Sequence, residues 1–201
     1  MYVREDGVVI DGRPPPEDAY GAQARSAVAA ASARFAGAAP MPLLLYLDQN
    51  YLSGVAKRKP AFRELEPALG AAVARGAVSA PEAEAHRIES AARPDLPLLE
   101  LLRGLSRGLQ LPDRAGARER QLERRLALIL ERDFPERRGR ASDRMDTRAL
   151  ALALPRCRLA TCNAFMADVV RRSGLHVRFR CELYSGCRDD VDRLRQRLEQ
   201  L

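Results

Sequence analysis

Residues 43–48, Leu-Leu-Leu-Tyr-Leu-Asp, constrain the fold more than any other stretch of the chain. A run of large apolar side chains has no polar face to turn to water. A strand made from it must be covered on both sides, as strands of parallel sheets are by packed helices. Pro40 and Pro42 fence the run at one end and Asp48 closes it at the other. In open α/β sheets, ligands bind beyond the carboxyl ends of the strands. Asp48 is therefore placed either to hold a metal ion or a phosphate-linked substrate, or to cap the helix that follows.

The rest of the chain alternates in kind. Gln49 to Lys57 reads as a short helix, and Pro60 opens another with Phe62, Leu65, Leu69 and Val73 as its apolar stripe. Residues 76–80 form a strand candidate, Pro81 starts a helix to about Ala92, and Leu96 to Leu105 forms the next. A long amphipathic helix over 113–132 turns Leu122, Leu126, Ile129 and Leu130 inward. An Arg-rich loop over 133–141 follows, and Ser142 is a suitable N-cap for a helix over 143–154, which Pro155 stops. Arg158 to Thr161 is a strand candidate, and Asn163 to Arg172 a helix with Gly174 as its stop. Val177 and Phe179 suggest a last strand, and 189–201 a polar terminal helix. Strands alternating with helices predict an α/β domain over 41–201, its sheet covered on both faces. Residues 1–40 read as an N-terminal extension, with a short hairpin from Val3 to Ile10 around Asp6-Gly7 and a helix near Gln23 to Phe35.

The chain carries a net charge of +7, which favours a polyanionic partner such as nucleic acid. Only Lys57 and Lys59 among its 34 basic residues are lysines, a bias that base composition of the gene alone would produce. No apolar run reaches the length of about 18 residues that a membrane span needs, and the start lacks the apolar core of a signal peptide, so the expected compartment is the cytoplasm, with no membrane partner. Cys157 and Cys162, and Cys181 and Cys187, leave gaps of four and five residues. Zinc ribbons use gaps of about two to four, and reduced structural thiols are the expectation.

Three acidic groups could carry chemistry. Asp48, with Asn50 two residues on, is the first. Glu82, His86 and Glu89 would share one face of the helix after Pro81, with Glu84 pointing elsewhere. Asp143 and Asp146 lie one turn apart at the head of the helix before Pro155. Each group also fits acids placed at a helix start for dipole reasons. Carboxylates from all three converging at one sheet edge would repel one another, and a divalent cation would remove that repulsion. Oxygen-rich donor sets favour Mg²⁺ or Mn²⁺, which can activate water for phosphodiester cleavage.

Residues 46–53, Tyr-Leu-Asp-Gln-Asn-Tyr-Leu-Ser, resemble the opening strand and turn of PIN-like domains. Pro81 to Glu89, with His86-Arg-Ile-Glu89, resembles the segment that supplies their second acid, and Asp146 to Asn163 their third segment. The resemblance spans roughly 43–180, with long unmatched stretches between. It implies a three-layer α/β/α sandwich with a central, mostly parallel sheet, and a metal-dependent endoribonuclease acting as a toxin or in defence or RNA processing. Carried over, Asp48, Glu89 and Asp146 would be the catalytic acids and the ligands of Mg²⁺ or Mn²⁺, with Asp143 as the alternative to Asp146. Asn50, Asn163, Thr161 and His86 would support them. Where such domains have Thr followed by Asp, this chain has Cys162-Asn163, with Thr161 one place earlier, and Arg158 stands where an Asp is often found.

RNA would be held by Lys57, Arg58 and Lys59 and by Arg171 and Arg172, the latter within an acid-free decade that also contains Arg178 and Arg180. An antitoxin or other protein partner and a homodimer are further expectations from the resemblance. Asn163 and Arg158 favour the alternative of a PIN-like domain that binds RNA or a protein without cutting. An aspartyl-phosphate phosphatase would ask for a second Asp where Asn50 stands.

Overall fold

A computed structural model of the chain describes residues 2–3, 9–10, 41–137 and 140–201. It falls into two units, 1–40 and 41–201. In the first, β1 (Tyr2–Val3) pairs antiparallel with β2 (Val9–Ile10), as the expected hairpin requires. The Asp6-Gly7 turn and the helix expected near Gln23 to Phe35 lie outside the described residues.

The second unit is built on four strands. They are β3 (Leu43–Tyr46), β4 (Val78–Ser79), β5 (Leu159–Thr161) and β6 (Glu182–Tyr184). Their spatial order is β4-β3-β5-β6 and every pairing is parallel. Alternate residues of each strand enter opposite cores. Leu45, Leu47, Leu159 and Tyr184 face one apolar cluster, while Tyr46, Ala160 and Leu183 face the other. Burying one such leucine contributes about 2 kcal/mol.

The first cluster is completed by α1 (Gln49–Ala56), a 3-10 turn (Pro60–Phe62), α2 (Leu65–Ala74), α4 (Leu98–Ser106) and α9 (Arg188–Glu199). The second is completed by α5 (Ala117–Asp133), α6 (Ala141–Ala153) and α7 (Ala164–Ser173). Between them α3 (Glu84–Ala91) follows β4, and the short α8 (Leu175–Arg178) precedes β6. The unit is thus an α/β/α sandwich around an all-parallel sheet. Among the described residues no helix is long and apolar enough to cross a membrane.

Four expectations need correction. The helix after Pro81 begins only at Glu84, because residues 81–83 stay extended. Glu82 there accepts from the Leu111 amide (2.7 Å) and donates its own to Leu109 (3.0 Å). Glu82 therefore does not share a helix face with His86 and Glu89. The long helix starts at Ala117 rather than Asp113, with Leu122, Leu126 and Ile129 buried and Leu130 partly so. Arg140, not Ser142, stands at the N-cap of α6, and Ser142 lies inside the first turn. Finally, Val177 belongs to α8 and Phe179 is its C-cap, while the last strand is Glu182–Tyr184. The alternation Val-Arg-Phe-Arg imitates a half-buried strand, yet Val177 is 70% exposed.

Candidate active site

The strand order places β3 at a switch point. The chain leaves β3 for β4 on one side and later returns to its other side as β5. The crevice beyond the carboxyl end of such a strand is the preferred ligand site of open α/β sheets. Asp48 stands there, 7% exposed, as the N-cap of α1. Its Oδ2 accepts from the Asn50 side-chain amide (2.9 Å) and main-chain N–H (3.4 Å). Cap and strand-end carboxylate are one and the same residue. The Asp48 amide donates to Thr161 Oγ1 (2.7 Å), and that hydroxyl reaches the Tyr46 carbonyl (3.2 Å), so Thr161 laces the end of β5 to the end of β3.

His86 provides the second lacing. It is fully buried, stacks on Tyr46 with ring centroids 5.2 Å apart, and contacts the Leu47 carbonyl through Nε2 at 2.7 Å. Its Nδ1 accepts from the Ala83 amide at 2.9 Å. A carbonyl can only accept and an amide can only donate, so the ring is the neutral Nε2–H tautomer. Burial lowers its pKa to about 4, against the pull of the Leu47 carbonyl. His86 therefore ties the start of α3 to the residue before Asp48, and Glu89 follows it by one turn on the same helix face.

The third acid, Asp146 on α6, accepts from the Asn163 side-chain amide at 3.0 Å. Asn163 in turn caps α7, its Oδ1 accepting from the Met166 amide at 2.8 Å. Both ends of its amide are thereby committed. Asp48, Glu89 and Asp146 are close enough to feel one another. Burial, then the charges of Asp48 and Asp146, raise the Glu89 carboxyl to about 7. Burial and the Asp48 charge raise Asp146 to about 6, against the Asn163 hydrogen bond. Burial raises Asp48 as well. The buried Tyr46 phenol, already raised by desolvation, is pushed further by all three.

The other acids are placed differently. Asp143 receives both arms of Arg137 (2.6 and 2.9 Å), and both charges are felt at Asp146, the first raising and the second lowering it. Asp143 lines a cavity of about 360 Å³ between α5 and α6, together with Arg140 and Arg144. That cavity includes none of Asp48, Glu89 and Asp146. Glu84 pairs with Arg148 at 2.8 Å, and Glu82 with Arg87 at 3.0 Å.

The expected RNA contacts are scattered. Lys57, Arg58 and Lys59 are exposed after the last turn of α1, about 12 Å along that helix from Asp48. Arg58 faces Glu66 at 3.6 Å. Arg171 reaches Asp190 (3.4 Å), and Arg172 is shared between Asp168 (3.0 Å) and Asp133 (3.4 Å). Arg158 is exposed at the amino end of β5, the opposite edge from the acids.

One residue escaped the sequence analysis. Gln49, directly after Asp48, has both side-chain amide atoms buried without a hydrogen-bond partner among the described residues. Nothing in its sequence context distinguishes it from an ordinary first-turn glutamine. All four cysteines are free, and only Cys187 is exposed.

Among the described residues no three His, Cys, Asp or Glu side chains are gathered as a ready-made ion cage. Mg²⁺ does not demand one, since it keeps several waters and is held through one or two carboxylates. The all-oxygen donor set and the raised carboxyls fit such an ion in kind. No protein-family model matches the chain, and neither a curated protein nor a solved structure matches it.

Proposed function

We propose that the chain is a metal-dependent endoribonuclease of PIN-like type. The observation that supports this most strongly is selective. In a chain with 34 basic residues, Asp48, Glu89 and Asp146 have no salt-bridge partner among the described residues, although burial raises all three and the Asp48 charge adds to this at Glu89 and Asp146. Carboxylates buried without a cation, and in part repelled by one another, are a cost that a fold retains where a cation or a reaction needs it.

Bound there, Mg²⁺ or Mn²⁺ would supply water of lowered pKa for attack on a phosphodiester. The chain's own residues do the positioning. Thr161 and His86 fix the main chain around Asp48, Asn50 orients the Asp48 carboxylate, and Asn163 orients Asp146. Glu89 has no such orienting partner among these residues and is the acid free to exchange a proton near neutrality. A toxin, defence or RNA-processing role, with an antitoxin or other protein covering this edge, is consistent with that chemistry.

One observation favours a second reading, a module that binds RNA or protein without cutting. Asn163 stands where PIN-like domains carry an acid, and it brings an amide that donates to Asp146 and accepts from Met166 instead of a charge.

Titration of Mn²⁺ into wild type and Asp48→Asn, with cleavage of mixed-sequence RNA followed on the same samples, separates the two. A nuclease should bind Mn²⁺ and cut. Changing an outer-shell partner of a metal typically costs 10–100-fold, so loss of a direct ligand should slow cleavage by more than about a hundredfold. Unchanged cleavage in Asp48→Asn would remove the nuclease assignment from this site, and RNA binding without Mn²⁺ binding would establish the module.

A further inference from the structure

Arg137, Arg148 and Arg171, near the acids, are each paired with a carboxylate, but another group of arginines is not. Arg118, Arg124 and Arg125 of α5 and Arg178 of α8 line a cavity of about 280 Å³, with Phe179 and Leu128 in its wall and no acidic residue among its described lining. None of the four makes a salt bridge among the described residues, whereas Arg137, Arg148, Arg156, Arg171, Arg172 and Arg193 all do. The Phe179 ring stacks against two of them, with the guanidinium of Arg118 at 4.9 Å and that of Arg178 at 5.8 Å from its centroid. Arg125 is steadied by donating to the Ser173 carbonyl at 2.6 Å. Four like charges held together without counter-charge repel one another, and an anion relieves that cost. Leu128 is 64% exposed, so the cavity also offers apolar surface to a base.

We infer that this cavity is an anchor for the phosphate backbone of single-stranded RNA, remote from the acids and feeding them. Its place in the fold supports this. Arg178 and Phe179 precede β6, so they lie at the amino edge of the sheet, opposite the carboxyl edge that holds Asp48. The seventeen residues of α5 bridge the two edges, a length of about 25 Å. Its far end delivers Phe134 against Phe165, ring centroids 4.9 Å apart, two residues beyond Asn163. A strand anchored at Arg118 and Arg178 and laid along α5 is led to Asp146. The anchor binds by charge and by contact with base faces, so it holds RNA without selecting its sequence.

The inference rests on the nuclease reading only for what happens to the strand after it is anchored. Fluorescence anisotropy of a labelled mixed-sequence RNA, long enough to reach both edges, tests the anchor on its own when measured in the Asp48→Asn background across a salt series. Arg118→Gln with Arg178→Gln should weaken binding roughly tenfold and lower the salt slope by about 1.4, two phosphate contacts of a single strand. Arg195→Gln with Arg188→Gln removes the same charge from α9 and should change binding less than about twofold. Phe179→Leu, which keeps apolar contact but frees both guanidiniums, should give an intermediate loss. Equal losses from the α5–α8 pair and the α9 pair, or no loss from the former, overturn the anchor. So does tighter binding of polyglutamate than of RNA, which would assign the cavity to an acidic protein. RNA binding that depends on Arg118 and Arg178 in a wild type that does not cleave leaves the anchor standing and removes the nuclease.

Discussion

The buried acids on the flanks of the sheet and those at its carboxyl edge are treated in opposite ways. On the flanks each carboxylate is met by arginine. Asp143 takes both arms of Arg137, Glu119 takes Arg156 at 2.8 Å, and Asp190 takes Arg193 at 2.6 Å. Against the burial that would raise it, Asp190 is held below its ordinary value by two hydrogen bonds from Ser185 and by those cations. At the edge, Asp48 and Asp146 receive only neutral amides, and all three acids are pushed up. The flank acids hold the fold together; the edge acids strain it. Arginine is abundant enough to have neutralised both sets, so the edge is a place where charge is kept available.

The contrast is sharpest between two residues three apart on α6. Asp143→Asn leaves the Arg137 guanidinium without its charge partner and should cost about 2 kcal/mol. Asp146→Asn removes a repelling charge and should raise the thermal midpoint in mildly alkaline buffer. Shifts of the same sign in the two thermal melts would dissolve the comparison.

The next largest effect is on pH dependence. Glu89 and Asp146 titrate higher in the folded chain than their ordinary values of 4.5 and 3.8. Between those values and about 7 and about 6, respectively, the folded state holds more protons than the unfolded one, so their contribution to stability is greatest at low pH and is lost as pH rises through this window. Asp190 runs the other way, its contribution present above 3.8 and lost as pH falls. Thermal melts should therefore show Mn²⁺ stabilising the protein increasingly as pH rises through about 6 and about 7, as Asp146 and then Glu89 lose their protons. An Mn²⁺ effect that is flat with pH would mean that the ion binds elsewhere.

Smaller effects refine which acids count. Glu89→Gln should weaken Mn²⁺ binding severalfold, while Glu84→Gln, whose carboxylate already serves Arg148, should leave it within about twofold; calorimetric titration giving the reverse order would mean that the wrong face of α3 was chosen. The smallest change expected is a modest gain in Mn²⁺ affinity from Asn163→Asp, which trades the amide that restrains Asp146 for a fourth charge. No gain would count against aligning Asn163 with the acid of PIN-like domains.

Much of this molecule was legible in the order of its residues. The apolar run before Asp48 fixes a doubly covered strand, and Gly174 at φ 66° ends α7 where a left-handed residue was expected. The position of Asp48 beyond β3 follows from the run itself. The local pattern puts Glu82 on the helix, but that helix waits for two further residues while the main chain bridges to Gln110, a pairing that no local pattern announces. The last strand, Glu182–Tyr184, is too short to show a period, whereas exposed Val177 and half-buried Phe179 mimic one. The anchor cavity could not be read at all beyond its acid-free stretch, since Phe179 meets Arg118 only through the packing of α8 near α5. Nor does spacing reveal that Arg137 belongs to Asp143 rather than to RNA.

The amide of Asp48 is satisfied by a hydroxyl 113 residues further along the chain. Polypeptides emerge from the ribosome at about 5–20 residues per second. A growing chain therefore exposes Asp48 and Glu89 for several seconds before Asp146 and Thr161 have been made. Until then β3 has no β5 beside it, and the crevice has only part of its wall. A fragment that ends before Thr161 therefore carries Asp48 without the strand and hydroxyl that hold its main chain in place.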